Sequence, residues 1–157
     1  RSQAVQNAYG SMLQNCAKAC DRWLNLEKAT TGRQLADVAW ALAKLELLGI
    51  HTTGGRGVFL ELRQRLAKAE VDFLASDLRK LVWALSVLSS DDVWLFGRLG
   101  DKLAERQEEL SGADVATIAF AYQRAGQTHS LLFRALAKRL PFCTLTAAGV
   151  AKLAAAF

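Results

Sequence analysis

The sequence predicts an all-α protein, a right-handed-type α-solenoid of about four antiparallel helix pairs. Three similar segments indicate this fold: QLADVAWALAKL at 34–45, DLRKLVWALSVL at 77–88 and DVATIAFAYQRA at 114–125. The chain ends on GVAKLAAAF, which resembles the start of a fourth copy. In each segment the apolar residues recur with the spacing of one helix face. Because a unit that recurs in sequence recurs in space, we expect a stack with an extended binding surface rather than an enclosed catalytic site.

A second apolar pattern gives the period. The spacing Phe-x2-Leu-x3-Leu begins at Phe59, Phe96 and Phe133, at steps of 37 residues, and places its side chains on one helix face. Each unit therefore pairs this helix, helix A, with the helix of the first pattern, helix B. Within a single segment spanning the whole chain, residues 1–157, the expected units are about 12–48, 57–90, 92–126 and 129–157.

The departures from the period fall between helices. The step from Trp40 to Trp83 is 43 residues because a Gly-rich stretch before Phe59 is longer by six residues than its equivalents. A surface insertion of this kind costs little closure entropy. The last step is shorter by two residues, near Pro141. Since the chain begins without Met and ends within a helical pattern, we expect it to be part of a longer protein.

Residues at the helix ends fit these boundaries. Asp77 and Asp114 are predicted as N-caps of B helices, and Asp92 stands at the start of an A helix. Gly49 and Gly126 follow B helices, where a left-handed residue is favoured. Apolar residues that recur in the turn between helices A and B are expected to attach it to the core. These are Phe73, Leu110 and Leu145.

The composition is that of a protein with a continuous apolar core. Hydrophobic residues make up 52% of the 157 residues, and no apolar run approaches the ~20 residues of a membrane span. We therefore expect no membrane partner. One aromatic residue recurs in each B helix, at Trp40, Trp83 and Phe120. We interpret these three as core residues rather than as exposed stacking platforms.

No pattern points to catalysis or to a metal. Cys16 and Cys20 form a C-x3-C pair without a second pair, and with Cys143 they are interpreted as small buried residues in a reducing compartment. His51 and His129 are expected to be solvated loop residues. We therefore expect a protein that is not an enzyme, with no catalytic residue, metal site, cofactor or small-molecule substrate.

The distribution of charge favours a polyanionic partner. The net charge is +5 and the isoelectric point is about 9.4. In each A helix, the residue before the last apolar core position is basic. These residues, predicted to form a ladder along an RNA backbone, are Arg22, Arg65, Lys102 and Arg139. Solvated flanking positions are the alternative interpretation, since Lys and Arg are common there.

A second column, early in helix B, varies from unit to unit. A constant core with variable polar side chains is typical of proteins that read one base per repeat, and equally of protein-binding solenoids. Its candidate RNA contacts are Asp37, Arg79, Lys80, Thr117 and Lys152. Arg56, in the loop TTGGRG, is a further candidate for a phosphate contact, although an ordinary flexible connector is the simpler interpretation. The loop lacks the Gly-Lys-Ser/Thr of a nucleotide-binding P-loop.

The B-helix sequences LADVAWALAKL and LRKLVWALSVL resemble the helical repeats of organellar RNA-binding proteins. These are the octotricopeptide repeats and the 37-residue heptatricopeptide repeats of FAST-kinase-like proteins. The resemblance covers about residues 12–157. It implies an α-solenoid in mitochondria, or alternatively in plastids, that binds single-stranded RNA. Such proteins process, stabilise or translate transcripts, and some are ribosomal subunits that hold rRNA beside other ribonucleoprotein components. The RAP domain that often follows these repeats is absent from this sequence.

Two functions therefore compete. The first is a noncatalytic RNA-binding solenoid, such as a mitochondrial ribosome subunit that stabilises rRNA. The alternative is a protein–protein interaction scaffold in a large organellar complex. A continuous, unpaired basic ridge would favour RNA, whereas neutralisation of that ridge or an apolar concave surface would favour the scaffold.

Overall fold

A computed structural model of the protein describes residues 10–16, 18–19, 22, 31–51, 54–68 and 72–156. This part of the chain is helical and contains no β-strand, so the predicted all-α class is confirmed. After a helical segment at residues 10–16, seven α-helices follow. They are α1 (Gly32–Leu47), α2 (Gly54–Lys68), α3 (Ala75–Leu88), α4 (Val93–Glu105), α5 (Gly112–Arg124), α6 (Ser130–Arg139) and α7 (Ala147–Ala156). Short 3-10 turns span Gln107–Glu109 and Leu140–Phe142.

The helices of the first sequence pattern pack on one another in chain order. Helix α1 packs against α3, α3 against α5, and α5 against α7. Helices of the second pattern pack onto this row, α2 against α1 and α4 against α3, and α4 also packs against α6. The row α1–α3–α5–α7 therefore presents one side to the other helices and leaves the opposite side to solvent.

The core lies between the two sets of helices. Phe59 and Phe96, which begin the Phe-x2-Leu-x3-Leu pattern, are buried, and Phe133 is half-buried against the same core. The B-helix stripes are also buried, including Leu35, Leu42, Leu78, Leu81, Leu85, Val115 and Ile118. Burial of each such side chain contributes roughly 1.5–3 kcal/mol, so the apolar periodicity is the main determinant of these helices.

The prediction that two aspartates are N-caps is wrong. Asp77 and Asp114 are the third residues of their helices, not the N-caps. Ser111 is the N-cap of α5, where its Oγ accepts from the Asp114 backbone N–H at 3.3 Å, while the Asp114 carboxylate accepts from the Ser111 N–H at 3.0 Å. The carboxylate belongs at this position because it bonds back to the N-cap in a capping box.

Three other predicted features of the helix ends are confirmed. Gly49 and Gly126 adopt left-handed φ values of 78° and 65°, each one residue beyond the C-caps of α1 and α5. Asp92 is the N-cap of α4 and accepts from the Leu95 N–H at 3.1 Å. In the turns between helices, Phe73 and Leu110 are buried, while Leu145 is half-buried.

Two predictions about cysteine and histidine burial are wrong. Cys16 is exposed and Cys143 is half-buried, with its Sγ 3.7 Å from the Leu110 carbonyl oxygen, whereas Cys20 lies outside the described residues. His51 is exposed as expected, but His129 is half-buried. His129 caps α6, since its Nδ1 accepts from the Leu132 N–H at 3.1 Å. None of the described helices is long and apolar enough to cross a membrane.

Candidate nucleic-acid interface

One side of the row α1–α3–α5–α7, here called the B face, carries an aromatic residue at the same position of α1, α3 and α5, and cations at positions that differ from helix to helix. On α1 it presents Arg33, Asp37, Trp40 and Lys44, which are spaced by one helical turn. The equivalent residues are Ser76, Lys80, Trp83 and Val87 on α3, Ala113, Thr117, Phe120 and Arg124 on α5, and Ala148, Lys152 and Ala155 on α7. Because the helices stack in this order, equivalent positions form columns that run from one helix to the next, such as Trp40, Trp83 and Phe120.

The aromatic column is half-buried, which corrects its assignment to the core. Trp40 and Trp83 are in direct contact, with ring centroids 4.1 Å apart and planes inclined by 41°. Both indoles keep part of their surface in solvent, as does Phe120. Of the three, Trp83 packs against the buried core.

Two cations lie over the tryptophan pair. The Lys44 ammonium is 5.2 Å from the Trp40 ring centroid and 5.0 Å from that of Trp83, and the Arg79 guanidinium carbon is 5.6 Å from the Trp40 centroid. These distances are within the range of cation–π attraction. An aromatic surface with cations at its margin matches the two parts of a nucleotide, the base and the phosphate.

The variable column predicted to read bases is engaged in contacts between neighbouring helices. Lys80 Nζ lies 2.5 Å from Asp37 Oδ1, and Lys152 Nζ donates to Thr117 Oγ1 at 3.3 Å. Arg79 Nε is 2.8 Å from the Asp114 carboxylate. Each of these three cations thus contacts a side chain on a neighbouring B helix, and the assignment of this column to base reading stays a prediction.

The B face nevertheless keeps a positive balance. Its cations are Arg33, Lys44, Lys80, Arg124 and Lys152, against the carboxylate of Asp37, and the paired residues Arg79 and Asp114 lie next to it in the sequence. Arg33 and Arg124 are exposed and form no ion pair with any described residue. A phosphate approaching this face would therefore meet cations at both margins of the aromatic column.

The basic ladder predicted on the A helices does not form a continuous unpaired ridge. Arg65 is only 9% exposed, and its Nε lies 2.6 Å from Glu61 Oε1. Arg139 Nε donates to the Leu110 carbonyl at 2.9 Å, and its Nη1 is 3.8 Å from Glu108. Lys102 is half-buried, while Arg22 is exposed. The predicted ladder is therefore interrupted at Arg65, which pairs with Glu61 on its own helix, and at Arg139, which bonds the turn before α5.

Arg56 lies on a helix and not on a loop. It is exposed in the first turn of α2, which begins at Gly54. It borders a cavity of about 220 Å³ that Arg63 and Asp92 also line. Arg63 donates to the Asp92 carboxylate at 2.6 Å and lies 4.9 Å from the Trp94 ring centroid. This cleft therefore carries two arginines and one carboxylate, and Arg63 is paired with that carboxylate.

Buried polar residues on α4–α6 serve the packing of helices. The Tyr122 hydroxyl donates to the Phe96 carbonyl at 2.6 Å, and the Tyr122 ring packs edge-on against Phe133. Burial raises the pKa of Tyr122 well above its usual value, with the Asp101 charge adding to the effect. His129 Nε2 lies 3.3 Å from Asp101. Within the described residues no group of three or more His, Cys, Asp or Glu side chains is placed to hold a metal.

The sequence analysis assigned Trp40 and Trp83 to the core and did not single out Lys44, which lies over both rings. Their signal was present, because Lys44 follows Trp40 by four residues on the face that also carries Arg33 and Asp37. An aromatic residue on the polar side of a helix is a better candidate for a ligand contact than one on its apolar stripe. Comparisons with protein-family models, with curated proteins and with solved structures found no match.

Proposed function

We propose that this protein is a noncatalytic RNA-binding helical-repeat protein. The proposal includes an α-solenoid of about four helix pairs with a period of about 37 residues, whose B helices face the RNA. The α1–α3–α5–α7 packing order supports this architecture, since each B helix contacts the B helix of the neighbouring unit. The protein would act by binding RNA and would catalyse no reaction.

The observation that carries the proposal is the Trp40–Trp83 pair with Lys44 and Arg79 over its rings. Base–aromatic stacking contributes roughly 1–3 kcal/mol per base and accepts any base, because every base has a π face. Cations beside the rings attract the phosphates and release condensed counterions. Together these two contributions suit a single strand, whose bases are available for stacking.

The cellular setting follows from the sequence resemblance. Organellar repeat proteins of this kind act in mitochondria or, alternatively, in plastids. We propose the mitochondrion, where the protein would be either a ribosomal subunit that stabilises rRNA or a factor for transcript processing or translation. Its partners would be single-stranded RNA or rRNA together with neighbouring proteins of a ribonucleoprotein. The positive net charge of +5 supports a polyanionic partner.

The test compares two triple variants of equal charge. Arg33→Glu, Lys44→Glu and Arg124→Glu reverse three cations of the B face. The matched control reverses three exposed cations of helices α4 and α6, Arg98→Glu, Arg134→Glu and Lys138→Glu. Binding of a short single-stranded RNA is measured across a salt series, after circular dichroism shows that all proteins are equally helical.

We expect the native protein to lose affinity steeply as salt rises, and the B-face triple to bind at least tenfold more weakly than the control triple. Equal weakening by both triples would mean that net charge alone governs binding and would contradict the B face as the RNA surface. Native binding that is weak and independent of salt would contradict RNA binding altogether.

A protein-interaction scaffold is the second candidate. It is favoured by apolar residues exposed on the A helices, Leu60 at 58%, Val93 at 67% and Trp94 at 38%. Charge neutralisation around Arg63 and Arg65 also makes that side less suited to RNA. If Leu60→Ser and Val93→Ser abolish assembly with a protein partner while RNA binding is absent in the native protein, the scaffold function replaces the first proposal.

A further inference from the structure

A pocket of about 560 Å³ lies where α5 turns into α6. It lies between the C-terminal end of α5, the turn into α6 and the end of α7. Gln123 and Ala156 form its sides, and the Phe133 ring contributes an apolar wall. Its size is in the range of pockets that hold small organic ligands.

The pocket combines an aromatic surface with neutral hydrogen-bonding groups. The half-buried Phe133 ring is fixed by its edge-on contact with Tyr122, at a centroid distance of 5.9 Å and an angle of 86°. Thr128 and Ser130 add hydroxyl groups. Among the described residues that line the pocket there is no Lys, Arg, Asp or Glu. His129 also lines the pocket, but its Nδ1 accepts from the Leu132 N–H at 3.1 Å and its Nε2 lies 3.3 Å from Asp101. The remaining polar groups of the lining are neutral and suit a neutral ring better than a phosphate or a metal ion.

Two glutamine amides line the pocket and have hydrogen-bonding groups that no described residue uses. Gln127 Nε2 donates to the Ser90 carbonyl at 3.0 Å, which holds the side chain in place and leaves its carbonyl oxygen available as an acceptor. Gln123 is exposed and forms no hydrogen bond with any described residue. An amide offers both a donor and an acceptor, the same combination that the edge of a nucleobase presents.

Gln123, which lines the pocket, is followed in α5 by Arg124, an exposed cation. We propose that this pocket binds the base of an unpaired nucleotide, a neutral heteroaromatic ring that Phe133 contacts and the two glutamines hydrogen-bond.

The same ring is found in an RNA strand and in a free nucleoside, and the experiment separates these sources. For a base within RNA the inference rests on the proposed function. One arm titrates adenosine, guanosine, cytidine and uridine into the intact protein, and the other titrates a short single-stranded RNA. The readout is the side-chain amide signals of Gln123 and Gln127 in nitrogen–proton correlation spectra.

Two variants and one control accompany the titrations. Gln123→Ala removes one amide from the pocket lining, and Ala156→Phe places a ring in the empty space at the end of α7. Gln64→Ala removes an exposed helical glutamine from α2, away from the pocket. Helicity is checked for each protein, and if Ala156→Phe fails to fold, Gln123→Ala still decides the outcome.

We expect both ligands to shift the two amide signals, with binding weakened about fivefold by Gln123→Ala and unchanged by Gln64→Ala. Ala156→Phe should abolish the shifts. RNA binding without any shift of these signals, together with no response to the nucleosides, would overturn the pocket while leaving the proposed function intact. Shifts with nucleosides in a protein that does not bind RNA would instead overturn the proposed function and retain the pocket as a nucleoside site.

Discussion

Removal of the Asp37 carboxylate is expected to strengthen RNA binding, because this carboxylate pairs with Lys80, which could otherwise bind a phosphate. Asp37 lies 2.5 Å from Lys80 on the neighbouring B helix, and its side chain is 52% exposed. The variant Asp37→Asn keeps the size and polarity of the side chain but leaves Lys80 unpaired. It also removes a negative charge that repels a phosphate beside the Trp40–Trp83 pair.

The size of the gain follows from the charges involved. A phosphate bound to Lys80 would lie roughly 6 Å from the Asp37 carboxylate, where repulsion amounts to about 0.7 kcal/mol in water and about 2.8 kcal/mol at an effective dielectric constant of about 20. Because Asp37 is largely exposed and salt screens such charges, the lower figure applies. A gain of about 0.7–1 kcal/mol corresponds to a Kd that is lower by a factor of roughly three to five. Loss of the exposed ion pair should cost at most about 1 kcal/mol of stability.

The assay is binding of a short single-stranded RNA at several salt concentrations, with Asp72→Asn as the matched control. Asp72 is also exposed and paired, to Arg106 at 2.6 Å, but it lies in the turn before α3. Both variants raise the net charge by one. If Asp72→Asn strengthens binding as much as Asp37→Asn, or if Asp37→Asn weakens binding, the assignment of the B face to phosphate contacts is refuted.

Three further predictions test the stacking surface and the core. Trp83→Leu should weaken RNA binding roughly five- to a hundredfold in a fluorescence titration, because a stacking ring is lost; unchanged affinity would mean that the indole does not contact a base. Tyr122→Phe should lower the free energy of unfolding by about 1 kcal/mol at neutral pH, since the 2.6 Å hydrogen bond to Phe96 is lost. The pKa of Tyr122 is raised in the folded state, so its contribution is complete below the unfolded value near pH 10 and declines above it. Denaturant titrations at neutral and alkaline pH should therefore show a smaller difference in the free energy of unfolding between native protein and variant at high pH. A difference that does not change with pH would contradict a raised pKa of Tyr122 in the folded state. Leu81→Ala should destabilise by about 2–5 kcal/mol, because Leu81 is fully buried; a loss below about 1 kcal/mol would show that α3 is not tightly packed.

The capping positions show how local signals place a helix end with limited accuracy. Asp114 was recognised as a capping residue, but a carboxylate serves equally well at the N-cap and at the third position of a capping box. Ser111, three residues earlier, decides between them, and its hydroxyl bonds the Asp114 N–H at 3.3 Å. The glycine signals were more precise, because a left-handed φ such as the 65° of Gly126 is strained for other residues.

The candidate site was only partly predictable for a related reason. Lys80 and Lys152 were chosen from their positions on helix B, but position alone did not reveal that they contact Asp37 and Thr117. Such pairs join residues that are 43 and 35 positions apart, and their distances depend on how adjacent helices are aligned. The partial exposure of Trp83 likewise depends on how deeply α3 sits in the core.

The sequence by itself determined the helices, their order and their buried faces. Each depends on apolar spacing within one helix and on residues at its ends, such as the Phe-x2-Leu-x3-Leu pattern at Phe59 and the glycine at position 126. Only the tertiary structure decided which charges are paired and which rings reach solvent. In the folded protein Arg65 is buried beside Glu61, and the rings of Trp40 and Trp83 contact each other below the Lys44 ammonium. The physical reason is that helix formation and burial follow from local periodicity, whereas the pairing of surface charges depends on the alignment of one helix against the next.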